Sequence, residues 1–309
     1  MDANERAMEA LGVHEPHDGS LSAMASASWH ALRGPMVHSA ELRVGWSREG
    51  GTLLGAFQRT GDAPSGPTAR RATGGAAVNV GEGTLHVVLG LASPSALMPC
   101  DEDKILNRHV RPLLRALTRS GALAHYFGRD WISVGHRPAA YVTFAHVRAT
   151  GRTVVEAFVA VGTPFALEER ASYMHKAPGT LDEIRGTSLD RGKLERAVCA
   201  AFGEALAPIA RGPVEPALAP RSDEPPWEAT VEEAIGPLRA GRDADGVVRL
   251  GGELMASSDA VLELETRLHD APRQDLGALV EAVFTAPGTA LFGVKSIRSI
   301  RDVLAKVLK

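Results

Sequence analysis

Apolar and polar positions along the chain fall into short blocks whose period changes at turn-forming residues. "ELRVGW" (41–46) and "TLLGAFQ" (52–58) read as strands flanking the turn "SREGG". "LHVVLGL" (85–91) is apolar enough for a buried strand. Over 103–121, "DKILNRHVRPLLRALTRSG" sets Ile105, Leu106, Val110, Leu113, Leu114 and Leu117 at helical spacing and ends at a glycine. Pro112 inside that run predicts a kink or a late start. "WISV" follows as a short strand. "AAYVTFAHVRA" and "TVVEAFVAV", joined by "TGR", form the clearest antiparallel hairpin in the sequence. "DRGKLERAVCAAFGEAL" is an amphipathic helix. Strands outnumber helices and short turns join them, so the expected fold is α+β, with a mixed, mainly antiparallel sheet and packed helices.

The pattern breaks at "ARGPVEPALAPRSDEPPW" (210–227), a proline-rich polar stretch. Beyond it, "GVVRLGGELM" reads as strand or turn, and "SSDAVLELETRLHD", "DLGALVEAVF" and "SIRSIRDVLAKVL" read as helices. The expected organisation is a larger domain over 1–210, a linker over 211–226 and a small α+β domain over 227–309, with about the first 20 residues flexible.

Composition narrows the function classes. With 309 residues, 44% of them hydrophobic and 23% charged, the chain can bury a sizeable core. A net charge of −3 gives no reason to expect nucleic acid or an anionic membrane as partner. Cys100 and Cys199 have no disulfide or metal-ligand spacing. The first thirty residues lack a signal-peptide core, and "LHVVLGLASPSALMP" is too short and too broken to span a bilayer. A cytoplasmic protein is expected.

One stretch carries chemistry. In "RRATGGAAV" (70–78), Gly74 and Gly75 permit close backbone approach, and a bend there can aim amide hydrogens at an anion. Arg70 or Arg71 can clamp a phosphate or carboxylate with two donors. A plain hairpin turn with two solvated arginines fits the same residues. No Walker loop or dinucleotide fingerprint is present.

The order of the pieces resembles the lipoate–protein ligase A family of the biotin and lipoate ligase superfamily. "LRVGWSREGGTLLGAFQ", with Gly55 to Gln58, is similar to that family's early strand pair and Gly-x-x-Gln turn. "RRATGGAAV" resembles its arginine–glycine signature. "GRDWISVGHRPAAYVTF" stands where the family has an Asn-Asp strand and a Gly-x-Lys turn, and the tail resembles its accessory domain. The resemblance implies ATP-dependent activation of lipoate or another medium-chain carboxylate, with Mg²⁺ sharing the phosphate charge. Transfer to a lysine of a lipoyl-type carrier domain would follow. It implies a binding site built from Arg70, Arg71, Thr73, Gly74, Gly75, Ala77, Asp130, Arg137 and Glu156.

Several positions depart from the family pattern. Ala76 replaces the loop's third glycine, Val80 and Gly81 replace a His-Asp pair, and Arg129 precedes Asp130 in place of asparagine. Arg137 stands where the lysine belongs, followed by Pro138; Glu156 stands at a histidine position, and Ala27 and Ser28 replace an acidic pair. Arginine keeps the lysine's charge but neither its compactness nor its ability to lose a proton. These changes predict very weak ligase turnover or none. Three functions stay open: an acyl-protein ligase or transferase, a non-catalytic relative that binds a carrier domain or small acid, and an enzyme rebuilt for another carboxylate. Acidic neighbours predict a weakly nucleophilic Cys100, Cys199 reads as packing, and His125, His136 and His146 lack ligand spacing.

Overall fold

A computed structural model describes residues 11–64, 66–166, 170–203, 206–209, 224–270 and 275–309. The expected linker, 211–226, lies outside the described residues up to 223. An eight-stranded sheet dominates. Its strands are β1 (Leu11–His14), β2 (Ala40–Trp46), β6 (Thr84–Leu91), β7 (Ala124–Tyr126), β8 (Trp131–Val134), β9 (Arg137–His146), β10 (Thr153–Ala160) and β11 (Leu206–Ile209). Their order across the sheet is β11-β1-β2-β6-β10-β9-β8-β7. β1 runs parallel to β2 and β11, and every other pair is antiparallel. The fold is therefore α+β on a mixed sheet, as the pattern of short strands predicted.

β6 and β10 lie at the centre, paired over eight residues each and buried throughout. Both of their faces are covered, which is why their sequences lack alternation. Helix α1 (Leu21–Arg33) is capped by Ser20, whose side chain accepts from the Ala23 amide. It packs Ala27 and Leu32 against Val88 and Val154 on one face. Helices α2 (Ile105–His109) and α3 (Arg111–Arg119) cover the other face. The short α4 (Leu181–Arg185) leads to α5 (Arg191–Phe202), which packs on that same face and places Phe202 with Val110 and Leu113 near Val87, Leu89, Val155 and Ala157. Alternation then turns Val154, Glu156 and Phe158 toward the α1 side. Pro112 sits in the first turn of α3, where its missing amide hydrogen costs nothing, so the predicted interruption becomes a fresh start.

One expected pairing is different. The strands on either side of "SREGG" do not pair with each other, because both edges of β2 are taken by β1 and β6. The second, β3 (Gly51–Leu54), ends before Gly55 and belongs to a small sheet with β4 (Thr68–Arg70) and β5 (Val78–Val80). The signature loop joins β4 to β5.

Residues after 223 form β12 (Ala229–Glu232), β13 (Pro237–Arg242) and β14 (Val248–Gly252) as one antiparallel sheet, and β15 (Met255–Ala256) with β16 (Leu291–Phe292) as a second. Helices α6 (Ser258–Asp270), α7 (Leu276–Phe284) and α8 (Ile297–Val307) complete this part. Leu238, Leu250, Leu264, Val283, Ile300 and Leu304 make a hydrophobic cluster of their own. Met255 and Ala290 instead join the main core. The Arg148 amide donates to Asp259 at 3.0 Å, and its guanidinium donates to Glu263 at 2.5 Å.

Candidate functional site

Arg71 points inward from the end of β4 and is completely buried. Its Nε donates to the Thr73 hydroxyl at 3.0 Å and Nη1 to the Leu53 carbonyl at 2.6 Å. Nη2 donates to the carbonyls of Gly74 (2.7 Å) and Ala76 (2.6 Å). The guanidinium also lies near the rings of Tyr141 and Phe158, at 5.7 and 5.6 Å. It acts as the hub around which the loop folds.

Glu156, buried on β10, completes this hub. One of its oxygens accepts a short hydrogen bond from Thr73 and stands 3.8 Å from Arg71 Nε. Its other oxygen meets His86 Nε2 at 2.7 Å, and His86 Nδ1 meets His17 Nε2 at 3.0 Å. Burial, and then the neighbouring His86, push the His17 imidazole down to about 3. A polar chain thus runs from the half-buried His17 into the loop.

The loop's own amides are also engaged. Gly74 donates to the Phe144 carbonyl (3.0 Å), Gly75 to the Leu254 carbonyl (2.9 Å) and Ala76 to the Tyr141 hydroxyl (2.7 Å). A side chain on Gly74 would strike the Leu254 carbonyl, and one on Gly75, whose φ is +82°, would strike the Tyr141 hydroxyl. Both glycines are therefore explained by packing against β9 and the chain entering β15. From the α1 side, the Ser28 hydroxyl accepts the Ala72 amide at 3.0 Å.

The two ends of the loop meet different cavities. Arg70 lines one of about 300 Å³ with Gln58, Arg59 and Trp227. Its Nη2 donates to both oxygens of Glu224, each at 2.9 Å. At the other end, Ala77 lines a cavity of about 550 Å³ with Gln58, Phe165, Tyr173, Arg170 and Glu253. Arg170 and Glu253 form an ion pair within it.

Asp130 is fully buried, and neither carboxyl oxygen has a hydrogen-bond partner. Burial, reinforced by the Glu253 charge, pushes its pKa up to about 7; Arg170 and Arg129 oppose the shift. The neighbouring Tyr126 hydroxyl is buried and unpartnered as well. Arg137 does not join this group. It opens β9 and turns outward, donating to Glu183 at 2.7 Å and to the carbonyls of Pro178 (2.7 Å) and Ala177 (3.3 Å).

No family model and no curated protein matches the sequence. Solved structures do match. P. falciparum LipL1 in complex with lipoate superposes with a TM-score of 0.59 at 12% identity, over 95% of this chain and 99% of that one. The bi-partite lipoate protein ligase of Thermoplasma acidophilum, described with its E2 lipoyl domain, gives 0.52 at 16% identity, over 66% and 87%. T. acidophilum Ta0514 with bound lipoic acid gives 0.51 at 16%, over 66% and 90%. The chain has the lipoate–protein ligase fold. At 12–16% identity, its chemistry must be read from its own residues.

On that fold, the structure brings Arg71, Thr73, Gly74, Gly75 and Glu156 into one buried cluster. Arg70, Ala77 and Asp130 lie around it, and Arg137 stands apart. His86, Tyr141, Arg170 and Glu253 were not singled out from the sequence. A signal did exist for His86: it and Glu156 are isolated polar residues within apolar runs on neighbouring strands, and β6–β10 register sets Phe158 opposite His86. Among the other candidates, His146 bonds Thr153 (2.9 Å) and the Gly288 carbonyl (3.0 Å), while His125 and His136 are exposed. Burial and then Asp101 push the Cys100 thiol up to about 11. Among the described residues, no three His, Cys, Asp or Glu side chains are grouped to hold a metal, and no helix is long and apolar enough to cross a membrane.

Proposed function

We propose that this chain is a lipoate–protein ligase-like protein that keeps a pocket for a small carboxylate and has lost efficient ATP-dependent ligation. One observation carries this reading: the Arg71 guanidinium and the amides of residues 74–76, donors that would cradle phosphate, are spent on the protein. Four hydrogen bonds tie Arg71 to Thr73 and to the carbonyls of Leu53, Gly74 and Ala76, and the amides of residues 74–76 all have protein acceptors. Arg137 is held by Glu183 on the exterior. These residues do not fit ATP with Mg²⁺ in this arrangement.

Loss of one preorganised electrostatic contact typically costs about 10²–10³ in turnover. Such losses are not additive, yet the loop and the cation are altered together here. The pocket side of the proposal is supported by the 550 Å³ cavity at the Ala77 end, a size suited to a small ligand. A lipoyl-type carrier domain is the macromolecular partner this reading carries over. Carboxylate-dependent exchange between ATP and pyrophosphate tests the lost step. Lipoate and octanoate should both leave exchange at background; exchange that rises with either one would refute the proposal.

A further inference from the structure

The larger cavity combines one cation, Arg170, with two carboxylates, Glu253 and Asp62, and with apolar and neutral polar walls. Asp62 is already held by Arg239 and the Trp227 indole. Ala63, Pro64, Phe165, Ala166 and Pro237 supply the apolar surface, and Arg170 supplies the positive charge. Such a lining suits a monocarboxylate with a short hydrocarbon tail, its head on the guanidinium and its tail along Phe165. The head position is already taken. Glu253, just before β15, places its carboxylate on Arg170 Nη2 inside the cavity. Burial disfavours the Glu253 charge more than Arg170 and Arg239 restore it, leaving its pKa raised.

The same arrangement recurs in the smaller cavity. There Arg70 holds Glu224, whose carboxylate also accepts from the Thr60 amide (2.8 Å) and hydroxyl (3.2 Å). In both cavities an arginine from the first 203 residues is neutralised by a glutamate from beyond 223.

We infer that Glu253 is an in-chain stand-in for a ligand's carboxylate, and that a small carboxylate reaches Arg170 only by displacing it. This inference rests on reading the 550 Å³ cavity as the carboxylate pocket. It assigns Arg170 as the receiving group and gives the segment after 223 a regulatory part: ligand entry and the Arg170–Glu253 contact exclude each other. An internal competitor lowers apparent affinity by the fraction of time the site is vacated.

Calorimetric titration of the whole protein with octanoate, with octanamide as the neutral control, provides the test. Glu253→Gln should bind octanoate at least about tenfold more tightly than the unmodified protein, with octanamide unchanged. The double variant Glu253→Gln with Arg170→Gln should lose that gain. If Glu253→Gln fails to fold by circular dichroism, Glu253→Asp, which shortens the contact's reach, should give a smaller gain in the same direction. Equal octanoate affinity in the unmodified protein and the Glu253 variants would overturn the stand-in and leave the pocket reading intact. A gain that persists without Arg170 would overturn the assignment of Arg170. Folded protein and variants that all fail to bind octanoate would overturn the pocket reading and this inference together.

Discussion

Glu156 and Asp130 are both fully buried acids in the neighbourhood of the signature loop, and their surroundings are opposite. Glu156 has Thr73 and His86 on its oxygens and Arg71 at 3.8 Å. Asp130 has no partner on either oxygen. Burial alone therefore does not decide how a buried acid behaves; partner saturation does. The acid at the loop is locked into the fold. The acid beside Tyr126 bears a desolvation cost that Arg170 and Arg129 offset only in part.

The largest expected effect falls on the saturated acid. Glu156→Ala strands Arg71, Thr73 and His86 in the interior and should cost about 3–5 kcal/mol in denaturant unfolding, as for other broken buried ion pairs. Glu156→Gln keeps an acceptor for Thr73 and should cost less. A loss below about 1 kcal/mol for the alanine variant would mean that the loop does not depend on this hub.

The unsaturated acid should respond to pH. The folded-state pKa of Asp130, about 7, lies above its ordinary 3.8, so the folded protein holds this proton more tightly than the unfolded chain does. Its contribution to stability is full below the ordinary value and is lost as pH climbs to about 7. An asparagine side chain in its place cannot titrate. The stability of Asp130→Asn relative to the unmodified protein should therefore rise across that window by up to about 4 kcal/mol, and stay level above it. Urea unfolding at pH of about 4 and about 8 measures this, and a difference independent of pH would place Asp130 in a solvated setting.

Arg137 marks the outer limit of the comparison and should matter least. Arg137→Lys should leave the melting temperature nearly unchanged and should not create ligase activity, because the loop donors remain occupied. Transfer appearing in this variant would put the lesion at position 137 alone.

Much of the fold was legible in the sequence. The β9–β10 hairpin and the split at Pro112 follow from local rules: apolar runs around a glycine-containing turn, and a proline placed where helices begin. The separation of β2 from β3 was not legible, since it depends on which distant strands claim the edges of β2. The same limit applied at the site. "RRATGGAAV" marked the loop that Arg71 organises, but its glycines fit ligand approach and tight packing equally well. Only the positions of Tyr141 and Leu254, some 65 and 180 residues away in sequence, decide between them. Arg170 and Glu253 sit in segments with no periodic signal, and their meeting is a product of tertiary packing.

Incubation of the unmodified protein with ATP, Mg²⁺, lipoate and a lipoyl domain, followed by intact mass measurement of that domain, tests the loss of ligation most directly. The domain should keep its unmodified mass, while a competent ligase run in parallel adds one lipoyl group. Robust, ATP-dependent addition of a lipoyl group by this protein would contradict the proposal, and would mean that Arg71 and the loop amides can exchange their protein partners for a nucleotide.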